Sequence, residues 1–350
     1  MKDRALKIAI TADPELPVPP RLYGGIERVV HMLVSGLASR GHDVTLFAHP
    51  DSAVPCTLVA YAGTRSRSPR DTVRNSLMVA RTVLGGHFDI VHSFGRLAYL
   101  APLLPLAVPK VMTYQRAITP RSVRWGARLS RGRLQFSAVS HAMIGPAVRF
   151  CDWHVVYNGV PVDVFEFSPD VAPDAPLVFL GRVEHIKGAH LAVEIARRTL
   201  RRLIIAGNVA REHEGYFARE IRPHLEPGKI DYVGPVDDRQ KIELLGQASA
   251  FLMPILWEEP FGIVMAEALA CGTPVLGLRR GAVPELIEHG VSGFVRDEVS
   301  ELVADVARVG GLCRRACRER AERMFSGDVM VEAYLDVYRA AARAGGGWRT

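Results

Sequence analysis

Short apolar runs alternating with segments of helical period constrain this chain more than any other feature. Lys7-Ile8-Ala9-Ile10-Thr11 has the length and content of a buried parallel strand, and a proline-rich loop (Pro14, Pro17, Pro19, Pro20) leads from it to Tyr23-Gly24-Gly25. From there Ile26, Val29, Val30, Leu33 and Leu37 recur at helical spacing up to Gly41. Residues 43–47 read as the next strand, and further strands are expected at 88–92, 109–113, 136–140 and 154–157. Such alternation predicts a parallel sheet with helices on both faces.

The periodicity breaks over residues 158–176, at Asn158-Gly159-Val160-Pro161 and the Pro/Asp-rich stretch that follows, and then restarts. Strands are expected at 177–180, 202–206, 230–233, 250–253 and 274–277, with helices at 188–200, near 214–224 and at 237–248, and helices only beyond the last strand. The expected fold class is therefore α/β: two Rossmann-like, doubly wound parallel-sheet domains facing each other across a cleft, where ligands bind at the carboxyl ends of the strands.

The run Glu258-Glu259-Pro260-Phe261-Gly262-Ile263-Val264-Met265-Ala266-Glu267 places one carboxylate just before a helix and another eight residues later, inside it. The first N–H groups of a helix have no intrahelical acceptor, and with the positive end of the dipole they attract phosphate. The flanking acids can accept hydrogen bonds from hydroxyls. An acid beside a helix start can also be a mere dipole partner, which suits Glu259; Glu267 among Met265, Ala266, Ala268 and Leu269 would be costly to bury unpartnered. Phosphate donors beside hydroxyl acceptors describe a site for a nucleotide sugar.

Directly after strand 177–180 comes Gly181-Arg182-Val183-Glu184-His185-Ile186-Lys187-Gly188, which puts a guanidinium and an ammonium on one loop. Two cations at a strand's carboxyl end can neutralise a diphosphate, each charged hydrogen bond contributing roughly 1.5–3 kcal/mol. Gly24-Gly25 lets backbone approach a ligand, or makes a tight turn. It lacks the three glycines of the dinucleotide fingerprint, which argues against a nicotinamide or flavin enzyme.

The hydrophobic fraction of 48% and charged fraction of 23% are those of a globular protein, and no apolar run is long enough to span a bilayer. Met1 to Ile10 is too short an apolar run for a secretory signal, and the five cysteines show no metal-ligand pattern, so a cytoplasmic protein is expected. The net charge of +7 is concentrated: from Asp89 to Asp152 no acid interrupts Arg96, Lys110, Arg116, Arg121, Arg124, Arg128, Arg131, Arg133 and Arg149. This is either a solvated face or a surface for an anionic acceptor or the inner membrane surface. Nucleic acid is not expected, because no aromatic platform is interleaved with these arginines.

Taken together, the Gly-Gly loop, Gly-Arg-x5-Gly with its Lys, Glu-x7-Glu and Gly272-Thr273-Pro274-Val275 make the chain resemble a retaining glycosyltransferase of family 4, with the GT-B architecture. The resemblance covers nearly the whole length; the Glu-x7-Glu block carries most of its specificity and the Gly-Gly loop little. It implies an acceptor-side domain over residues 1–160, a donor-binding domain over 161–328, and a helix at 329–343 that returns to the first. Arg182 and Lys187 would hold the diphosphate of a nucleotide diphosphate sugar, the donor substrate. Glu259 would accept hydrogen bonds from the sugar and Glu267 from the ribose. Backbone at Phe261, Gly262, Ile263 and Val264 would meet sugar and phosphates, backbone at Val233 and Gly234 the base, and Gly24 and Gly25 the phosphates from the other domain. No cofactor and no metal are implied; Asp237-Asp238 is adjacent rather than alternating.

The acceptor side departs from the family. Many members carry His-x-His after the strand at 88–92, whereas this chain reads His92-Ser93-Phe94; Thr113-Tyr114-Gln115 stands where relatives often have Thr-His-Gly. His92 is counted among the catalytic candidates, with a packed strand-end histidine as the alternative. Other readings are a nucleotide-sugar epimerase or phosphorylase on the same architecture, and a non-catalytic anion-binding module. Base, sugar, acceptor and oligomeric state stay open.

Overall fold

The structure, a computed structural model, describes residues 4–21 and 24–344. Tyr23, at the end of the proline-rich loop, and the run Gly345-Gly346-Gly347 lie outside them. Two compact units divide the chain, one formed by residues 1–159 and 327–350, the other by 160–326.

The first unit contains β1 (Lys7–Thr11), α1 (Gly25–Ser39), β2 (Asp43–Ala48), β3 (Thr57–Ala60), α2 (Pro69–Gly86), β4 (Ile90–Ser93), β5 (Lys110–Tyr114), α3 (Pro120–Ser130), β6 (Leu134–Ala138), α4 (His141–Ile144) and β7 (Trp153–Val155). All seven strands are parallel, in the order β3-β2-β1-β4-β5-β6-β7. The order reverses beside β1, so β1 and β4 flank the crevice typical of doubly wound sheets. α1 buries Val29, Val30, Leu33, Val34 and Leu37, an i, i+3, i+4 stripe facing the core. α2 begins on Ser68, whose hydroxyl accepts from Asp71 N–H at 3.2 Å, with Pro69 pre-set for the first turn.

The second unit runs through β8 (Leu177–Leu180), α5 (Ala189–Thr199), β9 (Leu203–Ala206), α6 (Glu214–Glu220), β10 (Ile230–Gly234), α7 (Asp238–Gln247), β11 (Ala250–Met253), α8 (Ile263–Ala270), β12 (Val275–Leu278), α9 (Val283–Leu286), β13 (Gly293–Arg296), α10 (Val299–Val306) and α11 (Arg314–Phe325). Its six strands are parallel in the order β10-β9-β8-β11-β12-β13, so the switch point lies between β8 and β11. α8 is apolar nearly all round and correspondingly buried. α11 covers it, and Arg314 donates to the carbonyls of Ser168 at 2.6 Å, Ala248 at 2.9 Å and Gly246 at 2.9 Å, while Arg318 reaches Ala270 O at 2.8 Å. Three of these carbonyls, Gly246, Ala248 and Ala270, lie at the C-terminal ends of α7 and α8, where helices leave carbonyls without partners.

The last helix, α12 (Gly327–Ala344), belongs to the first unit and packs against α1, β4, β5 and β6. Tyr334 and Tyr338 are fully buried there, and Arg40 of α1 pairs with Asp328 at 2.7 Å and Glu332 at 3.0 Å. Two strands differ from the sequence expectation, since neither β3 nor β13 was anticipated. β3 is a half-exposed edge strand without strict alternation, and β13 is only four residues opening on glycine. α6 stops at Glu220 rather than 224 because Pro223 cannot continue it. No helix among the described residues is long and apolar enough to cross a membrane.

Candidate active site

In the second unit the loops after β8 and β11 meet at the switch point. Leu256 N–H donates to Ile186 O at 2.9 Å, and Gly188, in the left-handed region at φ 77°, packs where a Cβ would collide with Pro254 O. This closeness joins Lys187 to Glu259: their Nζ and Oε2 are 2.6 Å apart, with the side chains 18% and 10% exposed. The same Oε2 accepts from the Trp257 indole N–H at 3.0 Å, and the ammonium lies 4.9 Å from the centroid of that ring. Lys187, Trp257 and Glu259 are thus one unit, with the carboxylate held by two donors.

The loop after β12 fixes the acidic segment from behind. Gly281 N–H donates to Glu258 Oε2 at 2.6 Å and Ala282 N–H to Glu259 O at 2.8 Å. Gly281, at φ 51°, has no room for a Cβ against the Glu259 backbone. Gly262, at φ 77°, is the N-cap of α8, so no side chain covers the N–H groups of Ile263 and Val264. Phe261 is turned inward, 2% exposed, with its ring edge-on to Phe325.

Glu267 projects from the middle of α8 and is 7% exposed. Its partner is Lys241 of α7, Nζ to Oε1 at 2.6 Å, which also lies 3.4 Å from Asp238 and 5.2 Å from the Phe165 centroid. Arg182 is the most open of the site's charged side chains described so far, with 41% of it exposed. It sits 2.9 Å from Glu184 Oε1, yet outside hydrogen-bond geometry, so that this buried oxygen has no hydrogen-bond donor; Oε2 of Glu184 is 3.1 Å from His213 Nε2. Val233, 49% exposed, and Gly234, at φ 76°, lie at the end of the edge strand β10. Gly207 N–H donates to Gly234 O at 2.8 Å, Tyr232 hydroxyl donates to Gly207 O at 2.8 Å, and a Cβ on Gly207 would strike Gly181 O. Three successive strand ends thus form a rim of bare backbone.

In the first unit, Gly24 is the N-cap of α1 and Gly25 its first residue. A Cβ on Gly24 would meet Glu27 Oε2 at 2.8 Å, so this carboxyl folds back over its own helix start. Burial raises the pKa of Glu27 above the usual carboxylate range, although its own N–H favours the charged form, and Asp13 nearby is raised by burial as well.

His92 requires a correction as a catalytic candidate. It is fully buried at the end of β4, its Nδ1 2.8 Å from the Tyr338 hydroxyl and its Nε2 2.7 Å from Thr113 Oγ1. Phe94 lies against it, ring centroids 4.2 Å apart, and Tyr334 at 5.0 Å. Burial lowers its pKa to about 3, so the ring is a neutral packing element. Gln115 exchanges two hydrogen bonds with Asn158, at 2.7 and 2.9 Å, instead of presenting a free side chain.

Sequence reasoning missed Lys241 and Trp257. Trp257 directly precedes the acidic pair and could have been noticed; Lys241 stands 26 residues from Glu267, with no local signal linking them. Among the described residues no group of three His, Cys, Asp or Glu side chains is placed to hold a metal.

Residues 23–164 match the model of Glycosyltransferase Family 4, and residues 167–310 that of Glycosyl transferases group 1. The chain is 27% identical over 400 residues to glycogen synthase of Mycobacterium tuberculosis, covering 93% of each protein. It is similar to the crystal structure of AviGT4, a glycosyltransferase involved in avilamycin A biosynthesis, with a TM-score of 0.73 and 25% identity over 97% of this chain and 98% of that one. Anabaena Alr3699/HepE in complex with UDP and glucose shares the fold with a TM-score of 0.72 and 18% identity, over 96% and 100% of the two chains. With both units matched by models of one enzyme class, this chain belongs to glycosyltransferase family 4, with the two parallel-sheet domains of the GT-B type.

Proposed function

We propose that the protein transfers a sugar from a nucleotide diphosphate sugar to an acceptor hydroxyl with retention of anomeric configuration. The observation that carries this reading is the switch point of the second unit, where an uncapped helix start is flanked by two lysine–glutamate pairs. In the proposed complex Arg182, Lys187 and the N–H groups of Ile263 and Val264 hold the diphosphate. Glu259 and Glu267 accept hydrogen bonds from sugar and ribose hydroxyls. Val233 and Gly234 offer backbone to the base. No cofactor takes part.

As the bond from anomeric carbon to phosphate oxygen breaks, negative charge grows on the diphosphate. The helix dipole and both cations stabilise that charge most in the transition state. Retention follows if the acceptor hydroxyl attacks from the face the diphosphate leaves, passing its proton to the departing phosphate oxygen. That Anabaena Alr3699/HepE binds UDP and glucose supports a nucleotide sugar as donor here.

Calorimetry with UDP, GDP and ADP, followed by turnover of the matching sugars and proton NMR of the product's anomeric centre, tests the proposal. An α-linked product from an α-linked donor is expected. An inverted product would refute retention, conversion of the sugar without transfer would indicate an epimerase, and failure to bind any nucleoside diphosphate would remove the donor site.

A further inference from the structure

The arginine-rich stretch of the first unit takes no part in the donor chemistry, and its structure on α3 is specific. The helix buries Val123, Gly126 and Ser130 and turns Arg121, Arg124 and Arg128 outward along one stripe, with Trp125 and Leu129 beside them. Trp125 is 54% and Leu129 49% exposed, and Arg124, Trp125 and Arg128 line one open hollow. The 3-10 segment Gly145–Phe150 packs against α3 and adds Arg149 and Val148, the latter 64% exposed. With no Asp or Glu between residues 90 and 151, no acid on α3 or this segment offsets the cations.

We infer that this face seats the protein on an anionic lipid surface, with Trp125, Leu129 and Val148 entering the headgroup layer while Arg121, Arg124, Arg128 and Arg149 meet lipid phosphates. An indole and two aliphatic side chains left in water beside four cations match both components of interfacial binding, apolar insertion and attraction to a negative surface potential. Arginine's planar fork suits phosphate oxygens. A surface for single-stranded nucleic acid would present several aromatic faces for stacking, whereas this face presents Trp125.

Co-sedimentation of the full chain with phosphatidylcholine vesicles, with and without one-third phosphatidylglycerol, tests it at physiological ionic strength. Binding is expected only with the anionic lipid, weakening as salt rises. Each of Arg124→Ala and Arg128→Ala should lower partitioning about five-fold, and Arg124→Glu/Arg128→Glu should abolish it. Trp125→Phe should still bind but lose the blue shift of tryptophan emission that vesicles induce. These positions are exposed, so unchanged urea midpoints are expected to show that the variants fold. Wild-type protein remaining in the supernatant, equal binding to phosphatidylcholine alone, or an unaffected double glutamate variant would each overturn the inference. So would salt-dependent binding to an oligonucleotide without binding to vesicles, or a blue shift that survives in Trp125→Phe.

Discussion

Replacing Lys187 with methionine removes the cation and keeps the length of the side chain, leaving Glu259 with one donor instead of two. Breaking a pair this enclosed costs roughly 3–5 kcal/mol, because an uncompensated carboxylate stays behind. The Trp257 indole still donates at 3.0 Å, and Glu259 keeps 10% of its side chain in water, which favours the lower end, about 3 kcal/mol. For a domain of this size that lowers the melting temperature by roughly 6–12 °C. Lys187→Met/Glu259→Gln removes the stranded charge together with its partner and should recover most of the loss, a coupling of about 2 kcal/mol or more. Transfer should fall on the order of 100-fold in both variants, since both lose the cation proposed to meet the diphosphate. Calorimetric unfolding and turnover, measured in parallel, separate the two effects. Strictly additive stability losses would refute the ion-pair reasoning, and wild-type turnover in Lys187→Met would refute the catalytic assignment.

Lys241→Met should destabilise by about 3 kcal/mol for the same reason, read as a lower urea midpoint, and Lys241→Met/Glu267→Gln should recover it. Gly281→Ala should lower kcat/KM about ten-fold while costing only 1–3 kcal/mol of stability, because its Cβ must push the Glu259 backbone aside; unchanged kinetics would show that the loop after β12 does not support the site. His92 gives a pH signature. Its native pKa near 3 lies below the ordinary value near 6.5, so the unfolded chain takes up the proton first as pH falls. The stability His92 contributes at neutral pH is therefore lost from about pH 6.5 downward, at up to about 1.4 kcal/mol per pH unit. His92→Gln should show a flatter dependence between pH 6.5 and 5, and identical slopes would mean that the ring is not held neutral.

The doubly wound character was legible because central strands such as Lys7–Thr11 and Ala250–Met253 are buried on both faces and read as continuous apolar runs. β3 and β13 were not, for their pairing is made by the neighbouring strands β2 and β12 rather than by their own content. At the site, Glu259, Lys187 and the start of α8 were visible because each is marked locally, by an acid beside Pro-Phe-Gly or a lysine before a glycine at a strand end. Lys241 was not, since only folding brings α7 to α8. His92 read as a catalytic candidate because position along a strand does not reveal burial. Tyr338, which seals it, lies 246 residues away, at the other end of the chain.

The ion pairs bear on how the proposed donor would be received. Both lysines of the site are neutralised within the fold, Lys187 by Glu259 and Lys241 by Glu267, while Arg182, 2.9 Å from Glu184, is the most exposed of these three cations. A diphosphate bound at α8 as proposed would compete with Glu259 for Lys187. In the proposed complex the ammonium would turn toward phosphate, and the carboxylate, having lost one donor, would accept from a sugar hydroxyl that replaces that donor in turn. Exchanging one partner for another within an enclosed site avoids ever stranding a charge, whereas a bare nucleoside diphosphate could take Lys187 without offering Glu259 a hydroxyl in return. The complete donor should therefore bind more tightly than its nucleoside diphosphate, and that advantage should shrink in Glu259→Gln, where no charge is left to strand.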